Sequence, residues 1–275
     1  MKILLTGHRG RIGPEIHRRL EAEDHEVRGF DLADGDDILD AERLARAAEG
    51  VECVVHLAGL ADDRGRPPAE VMSANLTGTA NALIAAEQAG VRRFVNMSSG
   101  KALGMLERMP PYLPMDDNCP GLPTRPYGLA KWLAEEMCEA FGKRTGMETI
   151  SLRAVAVFDE EGYEQMIASA SKPPRAISGG AWHMGVHLDV RDVATATVAA
   201  VTASNITSER VLICASDIAD RRPTKDVLME HAPDIPWRGD DSAYEADPYR
   251  GLVDISHAER VLNWTPRHRW PGRAE

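Results

Sequence analysis

The sequence has no long apolar run, no paired cysteines and little lysine. None of its 275 residues lies in an apolar stretch approaching the roughly 20 residues that cross a bilayer. Met1 leads straight into a strand pattern, so neither a transmembrane helix nor a signal peptide is expected, and a cytoplasmic location is. The four cysteines, Cys53, Cys119, Cys138 and Cys214, are scattered without a C-x-x-C pair, which favours buried thiols over disulfides or zinc. Nine histidines occur without an H-E-x-x-H spacing, and no metal site is expected. Lysine supplies only six of the 32 basic residues, and the formal net charge of -11 argues against a nucleic-acid surface. Repeats and low-complexity linkers are absent.

What is present begins at the amino terminus, MKILLTGHRGRIG. The apolar run Ile3-Leu4-Leu5 ends in Thr6-Gly7, Gly10 and Gly13 follow at intervals of three, and Ile12, Ile16 and Leu20 take helical spacing. This predicts a buried strand, a tight glycine turn and a helix. A side chain at Gly7 would clash in the turn, one at Gly10 would hold a pyrophosphate off the backbone, and one at Gly13 would part helix from strand. The helix start offers N–H groups and a positive dipole end to phosphates. A second strand, Glu26 to Asp31, ends in an acid 18 residues beyond Gly13, near where a dinucleotide fold places the carboxylate that holds the adenosine ribose. A carboxylate there repels a 2′-phosphate, so NAD is expected over NADP. Arg9 and Arg11 sit in the glycine turn, where they could meet the phosphates of either cofactor.

A short helix (Ala41 to Ala48) and a third strand (Cys53 to Leu57) follow, closed by Ala58 and Gly59, whose small size lets a flat cofactor lie on the backbone. His56 reads as a packing residue at a strand end. Strands alternating with helices predict a parallel sheet covered on both faces. Residues 67–90 read as one long helical stretch with Asn75 set among small and apolar neighbours. A fourth strand, Phe94 to Met97, runs into Ser98-Ser99-Gly100, two hydroxyls at a strand's carboxyl end, where such sheets bind ligands. The Pro- and Gly-rich segment Gly104 to Pro126 is expected to be a surface loop bordering a site.

Thr124 is the expected N-cap of a helix reaching about Arg144, which would place Tyr127 and Lys131 on one face. An ammonium and a helix N-terminus beside a phenol both favour its ionised form, so the pair is expected to lower the Tyr127 pKa from ~10 toward neutrality and make a general base. A Tyr-x-x-x-Lys pair arises by chance in roughly one such chain in ten, so its setting has to carry it. Beyond it lie a strand (Thr149 to Val157), an irregular stretch (Phe158 to Met184), His187 to Val193 leading into an alanine-rich helix, a strand at Val211 to Cys214 and a short helix near Ser256 to Leu262. Residues 1–157 are expected to form mainly a cofactor domain. Residues 158–275 are expected to complete the sheet (about 187–214) and to build a small substrate lobe.

Taken together, TGHRGRIG at 6–13, Asp31, Asp37-Ile38, HLAG at 56–59, Asn75 within NLTGT, SSGKALG at 98–104, YGLAK at 127–131, HLDVRDVA at 187–194 and DISHAERVLNWTP at 254–266 resemble the extended short-chain dehydrogenase/reductase superfamily, in its NAD-dependent epimerase/dehydratase branch. The resemblance implies an α/β, Rossmann-type doubly wound parallel sheet with a small C-terminal substrate lobe. It implies catalytic roles for Tyr127 as acid/base, Lys131 as binder of the nicotinamide ribose, and Ser99 as hydrogen-bond partner of the reacting oxygen. Cofactor contacts are implied at Gly7, Arg9, Gly10, Arg11, Ile12, Gly13, Asp31, Asp37, Ile38, Leu57, Ala58, Gly59 and Asn75, and substrate contacts at Ser99, Gly100, Lys101 and Arg153. Lys101 stays open to two readings, a partner for a carboxylate or a solvated loop lysine. Helices 67–90 and 125–144 pair across subunits in similar proteins, implying a homodimer.

Departures bear on the substrate. Ala156 stands where many nucleotide-sugar enzymes of the branch carry an asparagine, and Asp159 and Glu160 replace a glycine-proline pair and would repel a pyrophosphate. Size and these losses are closer to uronate dehydrogenases, although that subgroup tends to have Asn and His where Gly100 and Lys101 stand. The expected function is NAD-dependent oxidation or reduction of a secondary alcohol or hemiacetal carbon of a small sugar-like substrate, with a uronic acid as one candidate. An NAD-dependent epimerase or dehydratase is the alternative, and a non-catalytic NAD-sensing protein a third.

Overall fold

The computed structural model describes residues 1–105, 107–121, 123–170 and 185–273. The elements in order are β1 (Lys2–Thr6), α1 (Gly13–Ala22), β2 (Glu26–Phe30), α2 (Ala41–Ala48), β3 (Cys53–His56), α3 (Pro68–Met72), α4 (Gly78–Gln88), β4 (Arg93–Ser99), α5 (Pro126–Thr145), β5 (Glu148–Ala154), β6 (Val157–Phe158), α6 (Glu160–Ala170), β7 (Leu188–Asp189), α7 (Val190–Thr202), β8 (Ser208–Ile213), α8 (Thr224–His231), α9 (Asp241–Ala246) and α10 (Ser256–Leu262).

Apolar strands without polar alternation, such as Ile3-Leu4-Leu5 and Cys53-Val54-Val55, are buried on both faces, as a helix-covered parallel sheet requires. Six parallel strands take the order β2-β1-β3-β4-β5-β8. One face is covered by α1 and α7, through Ile16, Leu20, Val193, Ala196 and Ala200. The other is covered by α2 and α4, through Leu44, Leu83 and Ala86, with Cys138 of α5 completing that layer. The chain leaves β1 toward one edge and returns on its other side at β3, so the order reverses there and the carboxyl ends of β1 and β3 open a crevice.

Several elements depart from the sequence pattern for identifiable reasons. The helical stretch 67–90 is broken into α3 and α4 by a π-turn at Ser73–Thr77, which buries Asn75. The strand expected to reach Val157 stops at Ala154, and Val157–Phe158 instead pairs with Leu188–Asp189 in a separate two-stranded sheet. Helix α6 occupies part of the stretch expected to be irregular, of which residues 171–184 lie outside the described residues. Helices α8 and α9 are short and lie among prolines, which hid their periodicity. The loop from Gly104 is no simple surface loop: Tyr112, Leu113 and Met115 are buried. Leu113 N–H donates to the Pro236 carbonyl (3.0 Å) and Met115 N–H to that of Leu252 (2.9 Å), so the loop is stitched into the C-terminal part.

Arg93, at the start of β4, is only 1 % exposed. Its guanidinium donates to Glu148 at 2.9 and 2.7 Å, to the Ala200 and Ala203 carbonyls at 3.0 and 2.6 Å, and to the Val201 carbonyl. One side chain thus satisfies the open C-terminus of α7 and fastens that helix to the sheet. Arg93→Ala removes the buried cation, leaves three carbonyls without their donor and leaves Glu148 with Arg92 (2.6 Å) as its remaining partner. We expect a loss of about 3–5 kcal/mol in urea denaturation, whereas Arg92→Ala at the exposed neighbouring guanidinium should cost under about 1 kcal/mol.

Candidate cofactor and active site

The glycine turn is held by close approach. Gly7 has φ +74°, and a Cβ there would lie 2.7 Å from the Ala58 nitrogen at the end of β3; one at Gly13 would lie 2.4 Å from the His8 carbonyl oxygen. The two strand tips and the start of α1 are therefore drawn together around a site that side chains would fill. Beneath it runs a directional hydrogen-bond chain. Thr79 donates its hydroxyl proton to the Asn75 carbonyl (2.7 Å) and so accepts from His56 Nε2 (3.2 Å). His56 Nδ1 in turn accepts from Thr6 (2.8 Å), whose oxygen accepts from Ala58 N–H (3.3 Å). Burial pushes the His56 pKa down to about 3, so the ring is neutral and ties β1, β3 and α4 together.

That chain sets the position of Asn75. Its side chain is fully buried, yet neither amide atom has a hydrogen-bond partner among the described residues. Its oxygen would lie 2.2 Å from a Cβ at Gly59. A buried amide left unpaired beside a cradle of Gly59, Ala58 and Leu57 fits a ligand that supplies the missing polar contacts. At the other end, Asp31 accepts from the N–H groups of Arg9 and Ala33, both at 2.9 Å, which fixes its carboxylate at the tip of β2. Asp37 accepts from Leu39 N–H (2.9 Å), and Ile38 packs against Gly78. These residues fit NAD: the glycine turn and Ile12 at the helix start for the pyrophosphate, Asp31 for the ribose diol, and Asp37 and Ile38 beside the adenine. Two placements differ from the simplest expectation. The Arg9 guanidinium is held by Asp34 (2.7 Å), and that of Arg11 faces Asp159 at 3.9 Å, so both arginines already have acidic partners.

Tyr127, Lys131 and Ser99 meet at the carboxyl end of β4. Helix α5 begins at Pro126, and Thr124 does not cap it. Glu107, from the preceding loop, accepts from Thr124 N–H (2.7 Å), its hydroxyl (2.8 Å) and Arg125 N–H (3.1 Å), while the first helical N–H, that of Tyr127, donates to Asp63 (3.5 Å). The helix ends at Gly146 in the left-handed conformation, as its sequence suggests. Lys131 Nζ donates to the Met97 carbonyl (2.8 Å) and lies 5.9 Å from the Tyr127 ring centre. Ser99 accepts from Lys101 N–H (3.2 Å). Neighbouring Ser98 points the other way, donating to buried Glu135. Gly100 lies buried under Met105, whose sulfur would be 2.8 Å from a Cβ there.

The expected fall in the Tyr127 pKa is not found. Burial pushes the phenol up to about 12, with Asp62 and Asp63 acting in the same direction and a hydrogen bond with Ser99 opposing them. The physical reason is that Lys131 is itself buried: desolvation brings its ammonium down to about 8, opposed by Cys138 and Glu135, and its proton is directed to a backbone carbonyl.

Arg153 also departs from its expected substrate role. It is 3 % exposed, bonded to Glu135 through Nε (3.1 Å) and a terminal nitrogen (2.9 Å), and to the Asp117 carbonyl (3.0 Å). The Ser98–Glu135–Arg153–Asp117 network lies behind the site. Burial pushes Asp117 up to about 6 despite Arg153. Sequence reasoning missed Glu135, although it stands four residues beyond Lys131 on the same helical face. It also missed Glu107, for which no sequence signal exists. By contrast, Lys101 Nζ stands 5.3 Å from the Tyr127 ring centre with no ion pair or hydrogen bond of its own among the described residues.

The depressed lysine has a stability consequence. Between about pH 8 and its ordinary value of 10.5, the unfolded chain binds the Lys131 proton more tightly than the folded one, so the Lys131 contribution to stability rises with pH. Measured by urea denaturation against Lys131→Met, the wild type should gain about 2 kcal/mol from pH ~8 to pH ~10. A flat difference would contradict the burial of a charged lysine.

Comparison with known proteins accords with this geometry. A uronate dehydrogenase of Pseudomonas syringae pv. tomato is 29% identical over 180 residues, 61% of this chain and 64% of that protein. The aligned part thus spans less than two thirds of that relative's length. A putative UDP-glucose 4-epimerase of Methanocaldococcus jannaschii is 28% identical over 280 residues, covering 96% of this chain and 83% of that protein. In fold, the chain is similar to a short-chain dehydrogenase/reductase superfamily protein of Agrobacterium tumefaciens with bound NAD, with a TM-score of 0.74, 24% identity, and 99% and 94% of the two chains covered. Residues 3–215 match the NAD dependent epimerase/dehydratase family, and it is to this family that the chain belongs.

Proposed function

We propose that the protein is an NAD-dependent oxidoreductase that interconverts a secondary alcohol or hemiacetal carbon and its carbonyl on a small, anionic, sugar-like substrate, a uronic acid being the best fit. The observation that carries the anionic substrate is Lys101, whose ammonium stands 5.3 Å from the Tyr127 ring centre with no ion pair among the described residues. A substrate carboxylate reaching it would sit beside the reacting carbon. Asp159 and Glu160, at the start of α6, disfavour a pyrophosphate, and Ala156 offers it no donor. The similarity to uronate dehydrogenases points the same way.

In this reading Tyr127 transfers the proton and Ser99 hydrogen-bonds the oxygen as its charge changes. With its pKa near 12 the phenol is protonated at neutral pH and ready to donate. To accept a proton instead, it needs more positive charge beside it than Lys101 and Lys131 provide. When bound, NAD supplies the hydride acceptor and a positively charged nicotinamide ring. Lys131 holds the ribose side of the site, and Asp31 favours NAD over NADP. Residues 158–275 complete the sheet and form the substrate lobe, and the protein works in the cytoplasm. Ile84 of α4 and Leu129 of α5 are exposed apolar residues on the helices expected to pair in a homodimer. Light scattering at micromolar concentration should give twice the 30.1 kDa chain mass, and a monomer would contradict this.

A second reading is favoured by the M. jannaschii relative, whose alignment spans nearly this whole chain: an epimerase uses the same residues but retains its ketone intermediate. NADH absorbance with a panel of uronic acids, free sugars and nucleotide sugars separates the two. Accumulating NADH with uronic acids supports the first; turnover of a nucleotide sugar without NADH release supports the second. Tyr127→Phe should lower kcat about a hundredfold or more. Lys101→Met should raise KM for a uronate about tenfold while leaving a neutral sugar unaffected, and equal effects on both would remove Lys101 from carboxylate recognition.

A further inference from the structure

Two acids and two bases interlock at the adenosine end of the cofactor site. Asp31 is pinned by the Arg9 and Ala33 N–H groups, both at 2.9 Å. Three residues on, Asp34 grips the Arg9 side chain in a fork: Nε to one carboxylate oxygen and a terminal nitrogen to the other, each at 2.7 Å. His8 reaches the same carboxylate at 3.2 Å, its ring lying where Gly29 leaves room. Arg9 is therefore anchored through its own backbone to the carboxylate that meets the ribose, while its guanidinium is drawn onto a second carboxylate. The remaining Asp34 contact is with the His8 ring, and Arg9 supplies the permanent positive charge of this cluster.

We propose that Asp34 is a specificity residue for the cofactor: by holding the side chain of Arg9, whose own backbone N–H is bonded to Asp31, it denies that guanidinium to a 2′-phosphate. The inference rests on the NAD-site reading and goes beyond it. A carboxylate at Asp31 alone repels a 2′-phosphate, but an arginine whose backbone touches that carboxylate could offset the repulsion through a bidentate contact if its side chain were released. Discrimination therefore has two parts, a repulsive group and a restraint on the compensating cation. The second is a contact between side chains from two different βα turns, the glycine turn and the short helical turn after β2. Because Arg9 and Asp34 are both solvent-accessible, the restraint carries little of the fold's stability and can be removed without unfolding the site.

The test uses nucleotide fragments in place of the whole cofactor. The dissociation constants of 5′-AMP and of 2′,5′-ADP, which differ by the 2′-phosphate, are measured calorimetrically on wild type, on Asp34→Ala and on Asp34→Ala/Arg9→Met. We expect Asp34→Ala to bind 2′,5′-ADP about tenfold more tightly than wild type does, to change 5′-AMP affinity less than twofold, and to lose the gain in the double variant. Unchanged 2′,5′-ADP affinity in Asp34→Ala would overturn the proposal while leaving the nucleotide site intact. So would a gain that persists without Arg9, since removal of a negative charge would then explain it. If wild type binds neither fragment, the nucleotide-site reading falls and the proposal with it.

Discussion

The contact on which the rest depends is the one between the tips of β1 and β3. A left-handed glycine at position 7 lets the end of β1 lie against the Ala58 nitrogen, and no other residue could stand there without moving β3. From that contact the neutral His56 chain reaches through Thr79 to the π-turn, which sets Asn75 beside Gly59. A packing requirement at the switch point of the sheet thereby becomes a polar cradle. The cost of leaving the buried Asn75 amide without partners is sustained by the rigid elements around it, as is usual where a site awaits a ligand.

How much was legible in the sequence follows from how local each determinant is. The glycine turn, Asp31 and the Tyr127–Lys131 spacing are short-range patterns, and the structure places them together at the carboxyl ends of the strands. The parallel sheet was readable because fully buried strands are continuously apolar. What was illegible depends on partners distant in sequence. Thr124 carries the composition of an N-cap, yet its hydroxyl is turned to Glu107, and the first free N–H of the helix, that of Tyr127, faces Asp63 from the loop after β3. Arg153 looks like an anion binder in one dimension. Only the fold shows that Glu135 and Asp117 consume its donors. The π-turn has the helical spacing of its neighbours and cannot be separated from them by periodicity.

Tyr127 is the most instructive case, since the fold brings Lys131 to within 5.9 Å of its ring centre as the spacing suggests, yet the balance of forces on the phenol is the reverse of the expected one. Proximity of an ammonium lowers a phenol pKa only if the ammonium keeps its charge and the phenol its solvation. Here both are buried against the same strand end, and desolvation of each outweighs their mutual effect. The phenol consequently holds its proton firmly at neutral pH, and the amine holds its own only modestly. Glu135, one turn further along α5 and tied to Ser98 and Arg153, helps to keep that amine charged.

For the proposed chemistry, the phenol is therefore placed as a proton donor whose affinity neighbouring charges can change. A phenol already ionised would be a poor donor, and one held high chiefly by burial responds strongly to any charge that enters the same low-dielectric space. The groups that can shift it are arranged around the ring on different elements: Lys131 from its own helix, Lys101 and Ser99 from the end of β4, Asp62 and Asp63 from the loop after β3. Of these, Lys101 is the one without a fixed partner, so whatever anion engages it also changes the charge felt by Tyr127. On the proposed reading, substrate recognition and proton affinity would be coupled through the Lys101 ammonium, which has no ion pair among the described residues. A neutral substrate would leave that ammonium's charge acting on the phenol undiminished, whereas a carboxylate would cancel part of it and raise the tyrosine's affinity for the proton it receives.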